Sequence, residues 1–186
     1  NDGSLAYAGL TLRSPRSNRI LVENLHLVIS RGKNVMVQST DESARAALFN
    51  ATAGLFEISE GRITRPRFDN IMFLGELPYL PPCTLRELLL KPMPEIDHPD
   101  ETTLEQLFIS DDELFQVLRL LKIQKLLTGF GGLDTRQHWE NAIPLYEQKL
   151  LVIARVLLSC PAFVFLDRPG ISLGPDQIEM YLDMFR

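Results

Sequence analysis

The sequence predicts an α/β domain with a mostly parallel sheet, and three stretches predict it. The first runs from Glu147 to Asp167. Leu150, Ile153, Ala154, Leu157 and Leu158 recur at i, i+3, i+4, i+7 and i+8, the spacing of one buried helix face, and Pro161 forbids continuation. Phe163 to Leu166 is apolar at every position, which suits a central parallel strand covered on both faces. It ends in Asp167, at the place where such strands deliver their chemistry. In the second stretch, Val35, Met36 and Val37 form a short apolar strand. That strand delivers Gln38, Ser39, Thr40, Asp41 and Glu42 to a helix running from about Ser43 to Ala53, with Gly54 to stop it. The third is an antiparallel lead-in: Leu5 to Leu12 alternates apolar with small or polar residues, SPRSN turns the chain, and Ile20 to Ile29 is strand-like.

The remaining elements follow in order. Arg31-Gly32-Lys33 makes a turn before Val35, EGRI around Gly61 reads as the next strand pair, and Ile71 to Leu74 is another short apolar strand. After the loop GELPYLPP, Thr84-Leu85-Arg86-Glu87 is a T-x-x-E capping box that starts a helix. Residues 91 to 109, rich in Pro, Asp and Glu and without periodicity, read as an exposed excursion. Ser110-Asp111-Asp112-Glu113 is a second capping box, and Leu114, Val117, Leu118 and Leu121 give its helix an apolar face. The chain then passes through FGGLD and HWEN to the helix at Glu147. No internal repeat or low-complexity segment interrupts it.

A chain of 186 residues, 45% of them hydrophobic, can bury a real core, so residues 1–186 are expected to form one domain. A net charge of −5 and a pI near 5.2 give no electrostatic footprint for nucleic acid, which is excluded as a partner. Cys83 and Cys160 are too few for a disulfide framework or a zinc site and read as free thiols of a reducing compartment. No stretch approaches the roughly 18 apolar residues of a spanning helix, and no secretory pattern opens the chain. The abrupt start at Asn1 and the end at Arg186, inside a helix-like run, read as the edges of a domain cut from a longer protein.

Read together, the run FLGELPYLPPCTLRELLL, Trp139 shortly before the helix at Glu147, and that helix leading into a strand that ends in Asp167 resemble the nucleotide-binding domain of ABC transporters. Within that family the wording is most similar to the peroxisomal acyl-CoA transporters and their bacterial relatives, and the resemblance covers about Leu5 to Met184. It implies a P-loop NTPase-like (ABC ATPase) fold: a mostly parallel sheet with flanking helices, an antiparallel lead-in, and a helical subdomain over about 84–158. It also implies ATP and Mg as the family's cofactors, a transmembrane domain in the same or a partner chain, a homo- or heterodimer, and a place at the cytoplasmic face of a membrane.

Residue by residue, the implied motifs are altered. The P-loop pattern G-x-x-x-x-G-K-[ST] falls on Ser39, Thr40, Asp41, Glu42, Ser43, Ala44, Arg45 and Ala46, with Ala47 following. Ser39 and Ala44 stand where glycines let the backbone approach phosphate, Arg45 stands for the lysine, and Ala46 stands for the hydroxyl that would ligate magnesium. Asp41 and Glu42 face the place of a polyanion, and each unit repulsion at about 4 Å is worth about 4 kcal/mol at an effective dielectric near 20. The plain alternative is an ordinary helix N-terminus, with a Ser, Thr or Asp cap and acids in its first turn. Glu76 replaces the glutamine of the Q-loop. Ile143, Pro144, Leu145, Tyr146, Glu147 and Gln148 hold the positions of the L-S-L-G-E-Q signature. There Pro144 removes a hydroxyl and a backbone donor, and Tyr146 puts a ring where a glycine allows close approach. Asp167 keeps the Walker B position and is the one candidate metal ligand. Arg168 stands at the catalytic glutamate, and a guanidinium cannot act as a base. Gly174 replaces an aspartate, and His26, His98 and His138 match no switch histidine.

These departures point to a degenerate domain of a transporter-like membrane protein: a pseudo-ATPase with a structural or dimerising role, no bound cofactor and no catalytic residue. Two other readings stay open, an atypical ATP-binding domain that energises transport and an interaction module that borrowed the fold. Two structural expectations accompany them. Arg168 is expected to pair with Asp41 or Glu42. The gap left by the family's switch-histidine strand is expected either to close by pairing of Val35–Val37 with Val164–Leu166 or to remain as a missing strand.

Overall fold

Strand β1 (Ser4–Arg13) buries Leu5 and Tyr7 and then, out of phase by one residue, Leu10 and Leu12. The slip is taken up at Gly9, which holds φ +62° inside a register shift between Tyr7 and Leu10. The bulge inserts one residue and so returns the next leucines to the core face. Strand β2 (Ile20–Ser30) answers with a shift of its own around Asn24, at φ +46°. Helix α1 (Glu42–Ala53) and strand β3 (Glu60–Thr64) follow, and β3 joins β1 on its other side to give the antiparallel order β2-β1-β3. The antiparallel lead-in, the helix and its stop at Gly54 (φ +80°, left-handed) thus form where the sequence puts them.

The computed structural model describes residues 3–67, 70–90, 109–168, 170, 175, 176, 179 and 183, which fall into two units. Unit 1 comprises Asn1–Phe73 and Ala162–Asp167, and unit 2 comprises Leu74–Pro161 and Arg168–Arg186. In unit 1, Leu5, Tyr7, Leu10 and Leu12 pack with Ala47, Ala51, Ile71 and Phe163. The Tyr7 hydroxyl meets Thr52 Oγ1 at 2.8 Å, which satisfies both buried groups. Strand β4 (Ile71–Leu74) pairs in a separate two-stranded sheet with a strand at Phe163–Leu166, numbered β7 below, and Phe73 stacks on Phe165 at 5.0 Å.

Two expectations are corrected here. Val35, Met36 and Val37 form no strand among the described residues and are 47%, 79% and 52% exposed. A strand holds only when its backbone groups find a neighbour, and β7 takes β4 instead of the 35–37 segment. Strand β7 is buried fully only at Phe163 and is half-buried from Val164 to Leu166, not covered on both faces. The molecule is therefore a mixed α/β protein with small sheets, of which the largest is antiparallel; the mostly parallel sheet is not found among the described residues.

Unit 2 is largely helical. Strand β5 (Cys83–Thr84) leads into α2 (Leu85–Leu90) and pairs antiparallel with the distant β6 (Arg136–Gln137), and α3 (Asp111–Leu120), α4 (Lys125–Gly129), α5 (Trp139–Ala142) and α6 (Leu145–Ser159) complete the unit. Both capping boxes close. Thr84 and Glu87 exchange backbone-to-side-chain bonds at 3.0 and 3.1 Å, and Ser110 does the same with Glu113. Arg86 ties α2 to Asp111 and Asp134 and so joins three segments. Helix α6 is buried at every position from Glu147 to Val156, a wider burial than one apolar face. Periodicity alone cannot show that Glu147 pairs with Lys125 or that the Gln148 amide donates to the Glu140 and Ile143 carbonyls at 2.9 and 3.0 Å. Strand β7 (Phe163–Leu166) closes the described core of unit 1. Within 174–186 only Pro175, Asp176, Glu179 and Asp183 are described, and these are helical; Gly174 and His98 lie outside the described residues.

Candidate functional site

At the start of α1 the phosphate-loop positions are organised by Asp41. Its backbone is extended (φ −91°, ψ 107°), and its carboxylate Oδ1 accepts from the Ser43 N–H at 2.8 Å and the Ala44 N–H at 3.4 Å. These are the first free donors of the helix, the groups that would cradle an anion arriving from outside. The other oxygen, Oδ2, accepts from Arg19 Nη1 at 2.7 Å, and this guanidinium holds the Asp41 carboxyl below the usual carboxylate range. Arg45, at the lysine position, donates through Nη1 to the Ser39 carbonyl at 3.1 Å and lies 3.6 Å from Glu42 through Nη2. Ser39 Oγ accepts from the Asp41 N–H at 3.1 Å. Thr40, Glu42, Ser43 and Ala46 are exposed, whereas Ala44 and Ala47 turn into the core.

The signature positions build a helix start in unit 2. Pro144 is the N-cap of α6, with φ −60° and ψ 152°, and makes no side-chain cap bond. Its fixed φ suits this place and its missing N–H removes one donor. Ile143 is buried, Pro144 is exposed, and Leu145 and Tyr146 are half-buried. Glu147 and Gln148 spend their side chains on Lys125 and on the carbonyls of Glu140 and Ile143.

Elsewhere in unit 2, Arg168 Nη1 donates to Glu76 Oε2 at 3.1 Å, so the residues at the catalytic-glutamate and Q-loop positions meet each other. Asp167, beside Arg168 in the chain, is half-buried. Among the described residues no group of three or more His, Cys, Asp or Glu side chains is placed to hold a metal ion.

The first free amides of α1 are taken by an internal carboxylate, the cation at the lysine position is turned onto a backbone carbonyl, and Ala46 offers no hydroxyl. Sequence reasoning singles out Asp41, Arg45 and Ala46 but misses Arg19. That residue lies 22 positions before Asp41 in a turn-forming stretch, and no local pattern marks the pairing.

Comparison with known proteins gives the kinship. No family model matches the chain. An uncharacterized ABC transporter ATP-binding protein of Synechocystis sp. is 31% identical over 179 residues, 96% of this chain and 25% of that protein. ABC transporter D family member 2 of Dictyostelium discoideum is 25% identical over 94% of this chain and 22% of its own length. ATP-binding cassette sub-family D member 3 of Mus musculus is 24% identical over 97% and 26%. The chain thus spans about a quarter of the length of the curated relatives it matches. Among the described residues no helix is long and apolar enough to cross a membrane. Over most of its length, this chain is a relative of ABC transporter ATP-binding proteins, with D-subfamily members and bacterial proteins among its kin.

Proposed function

We propose that the chain is an ABC-type nucleotide-binding domain that has lost ATP chemistry and serves a structural or dimerising role beside a transmembrane domain, at the cytoplasmic face of a membrane. The observation that carries this reading is the Asp41 carboxylate on the Ser43 and Ala44 amides, charge-paired with Arg19. A phosphate entering there would have to displace a carboxylate already bonded to two amides and a guanidinium, and would meet its negative charge. Arg168 at the catalytic-glutamate position, which cannot take a proton from water, and Pro144 at the signature serine, which offers a phosphate neither a hydroxyl nor an N–H, support the same reading.

Titration of the chain with Mg-ATP in a calorimeter tests this, with no heat of binding at cellular nucleotide concentrations as the expected result. Micromolar affinity, or turnover that disappears on Asp167→Ala, overturns it. The second reading, an atypical ATP-binding domain that energises transport, is favoured by the relatives' names as ATP-binding proteins and by the retained Asp167. The same titration decides between the two.

A further inference from the structure

Glu76 lies two residues beyond the end of β4 and Arg168 two beyond the end of β7, strands that are hydrogen-bonded neighbours. The two side chains come from loops 92 positions apart and meet at 3.1 Å, each about one-third exposed, at 36% and 29%. Arg168 holds φ +47°, a left-handed backbone that side-chain-bearing residues rarely adopt and that persists where surrounding contacts over-determine it. The Glu76 carboxylate also acts on Lys149, a buried ammonium of α6 whose pKa is pushed down by burial and raised again by Glu76. One acid therefore serves two cations on separate segments.

We propose that Glu76 and Arg168 are a matched pair, a carboxylate–guanidinium latch that ties the loop leaving β4 to the loop leaving β7, so that the effect of changing either residue depends on the other. The inference rests on this geometry and does not depend on whether ATP binds. A glutamine at 76 would keep the size of the side chain but lose the charge that Arg168 and Lys149 meet. A glutamate at 168 would set two carboxylates against each other. Restoring either residue of the family pattern singly thus loosens the loops rather than repairing a site.

Thermal unfolding of the 186-residue chain carrying Glu76→Gln, Arg168→Glu and both substitutions tests the latch. Glu76→Gln alone is expected to lower the Tm by up to about 4 °C, the upper end for one partly exposed ion pair in a chain of this size. Arg168→Glu alone is expected to lower it further. The diagnostic result is a reversal of sign: in the Arg168→Glu background, Glu76→Gln raises the Tm, because it removes the carboxylate repulsion. An equal fall on Glu76→Gln in both backgrounds overturns the proposal. If Arg168→Glu does not fold, Arg168→Gln takes its place. The Glu76→Gln effect is then expected to shrink by at least about half in that background, and an undiminished effect overturns the latch.

Discussion

Trp139 is wholly buried although its indole carries a polar N–H, and the burial is tolerated because Nε1 donates to the Cys83 carbonyl at 2.9 Å. The ring also meets Phe130 edge-on at 5.5 Å. Trp139→Phe removes that bond together with part of the indole volume, and we expect a loss of about 1–3 kcal/mol, read as a lower urea midpoint at unchanged m-value. An unchanged midpoint would show that the bond is not what anchors this residue. The sequence makes Trp139 visible as a family marker, yet its structural role depends on a carbonyl 56 positions away. The same limit applies to Asp41. Its capping of α1 is legible from the residue type, but its neutralisation by Arg19 is not, because that partner comes from the turn between β1 and β2. Arg168 likewise carries a charge that the sequence declares and a partner, Glu76, that only the fold supplies.

At the level of elements, the close approach of β3 to β1 depends on Gly61. It sits at φ +83°, and a Cβ built on it would lie 2.2 Å from the Gly9 carbonyl oxygen, which is backbone and cannot swing aside. Gly61→Ala should therefore force β3 away from β1 and cost more than about 1 kcal/mol, the conformational penalty alone. Thermal melts and amide exchange of Ile63 and Thr64 would report it, and protection equal to that of the native chain would contradict the account. Elements with local instructions were legible in the sequence: two reciprocal capping boxes, a left-handed glycine after α1, and alternation in β1. Those that depend on distant partners were not. Val35–Val37 has the residue types of a strand, but among the described residues it has no strand beside it, and β propensity does not form a ladder by itself. The phase slip at Gly9 was also hidden, since alternation read across 5–12 does not reveal which residue is the extra one.

For the molecule as a whole, the sequence conveys kinship through the order and spacing of its motifs. What it does not convey is how its charges are paired, and that pairing contributes to the response to acid. Arg19 holds Asp41, Arg86 holds both Asp111 and Asp134, and the Ser110 backbone N–H holds Glu113, each keeping its carboxyl below the ordinary range. All four pKa values are lower in the folded chain than in the unfolded one, so the unfolded chain binds protons first as pH falls. Their contribution is fully present above the ordinary values of 3.8 for Asp and 4.5 for Glu, and it is lost as pH drops through the lower folded values. Thermal melts taken from pH 7 to pH 3 should accordingly show no decline from these groups down to about pH 5 and a steepening fall below about pH 4. Arg86→Ala removes the principal cause of two of the four shifts, so its Tm should lie about 2–4 °C below the native chain at neutral pH and converge on it in acid. Arg19→Ala should converge in the same way through Asp41 alone. If either variant instead ran parallel to the native chain across the whole range, these ion pairs would not be the source of its acid sensitivity.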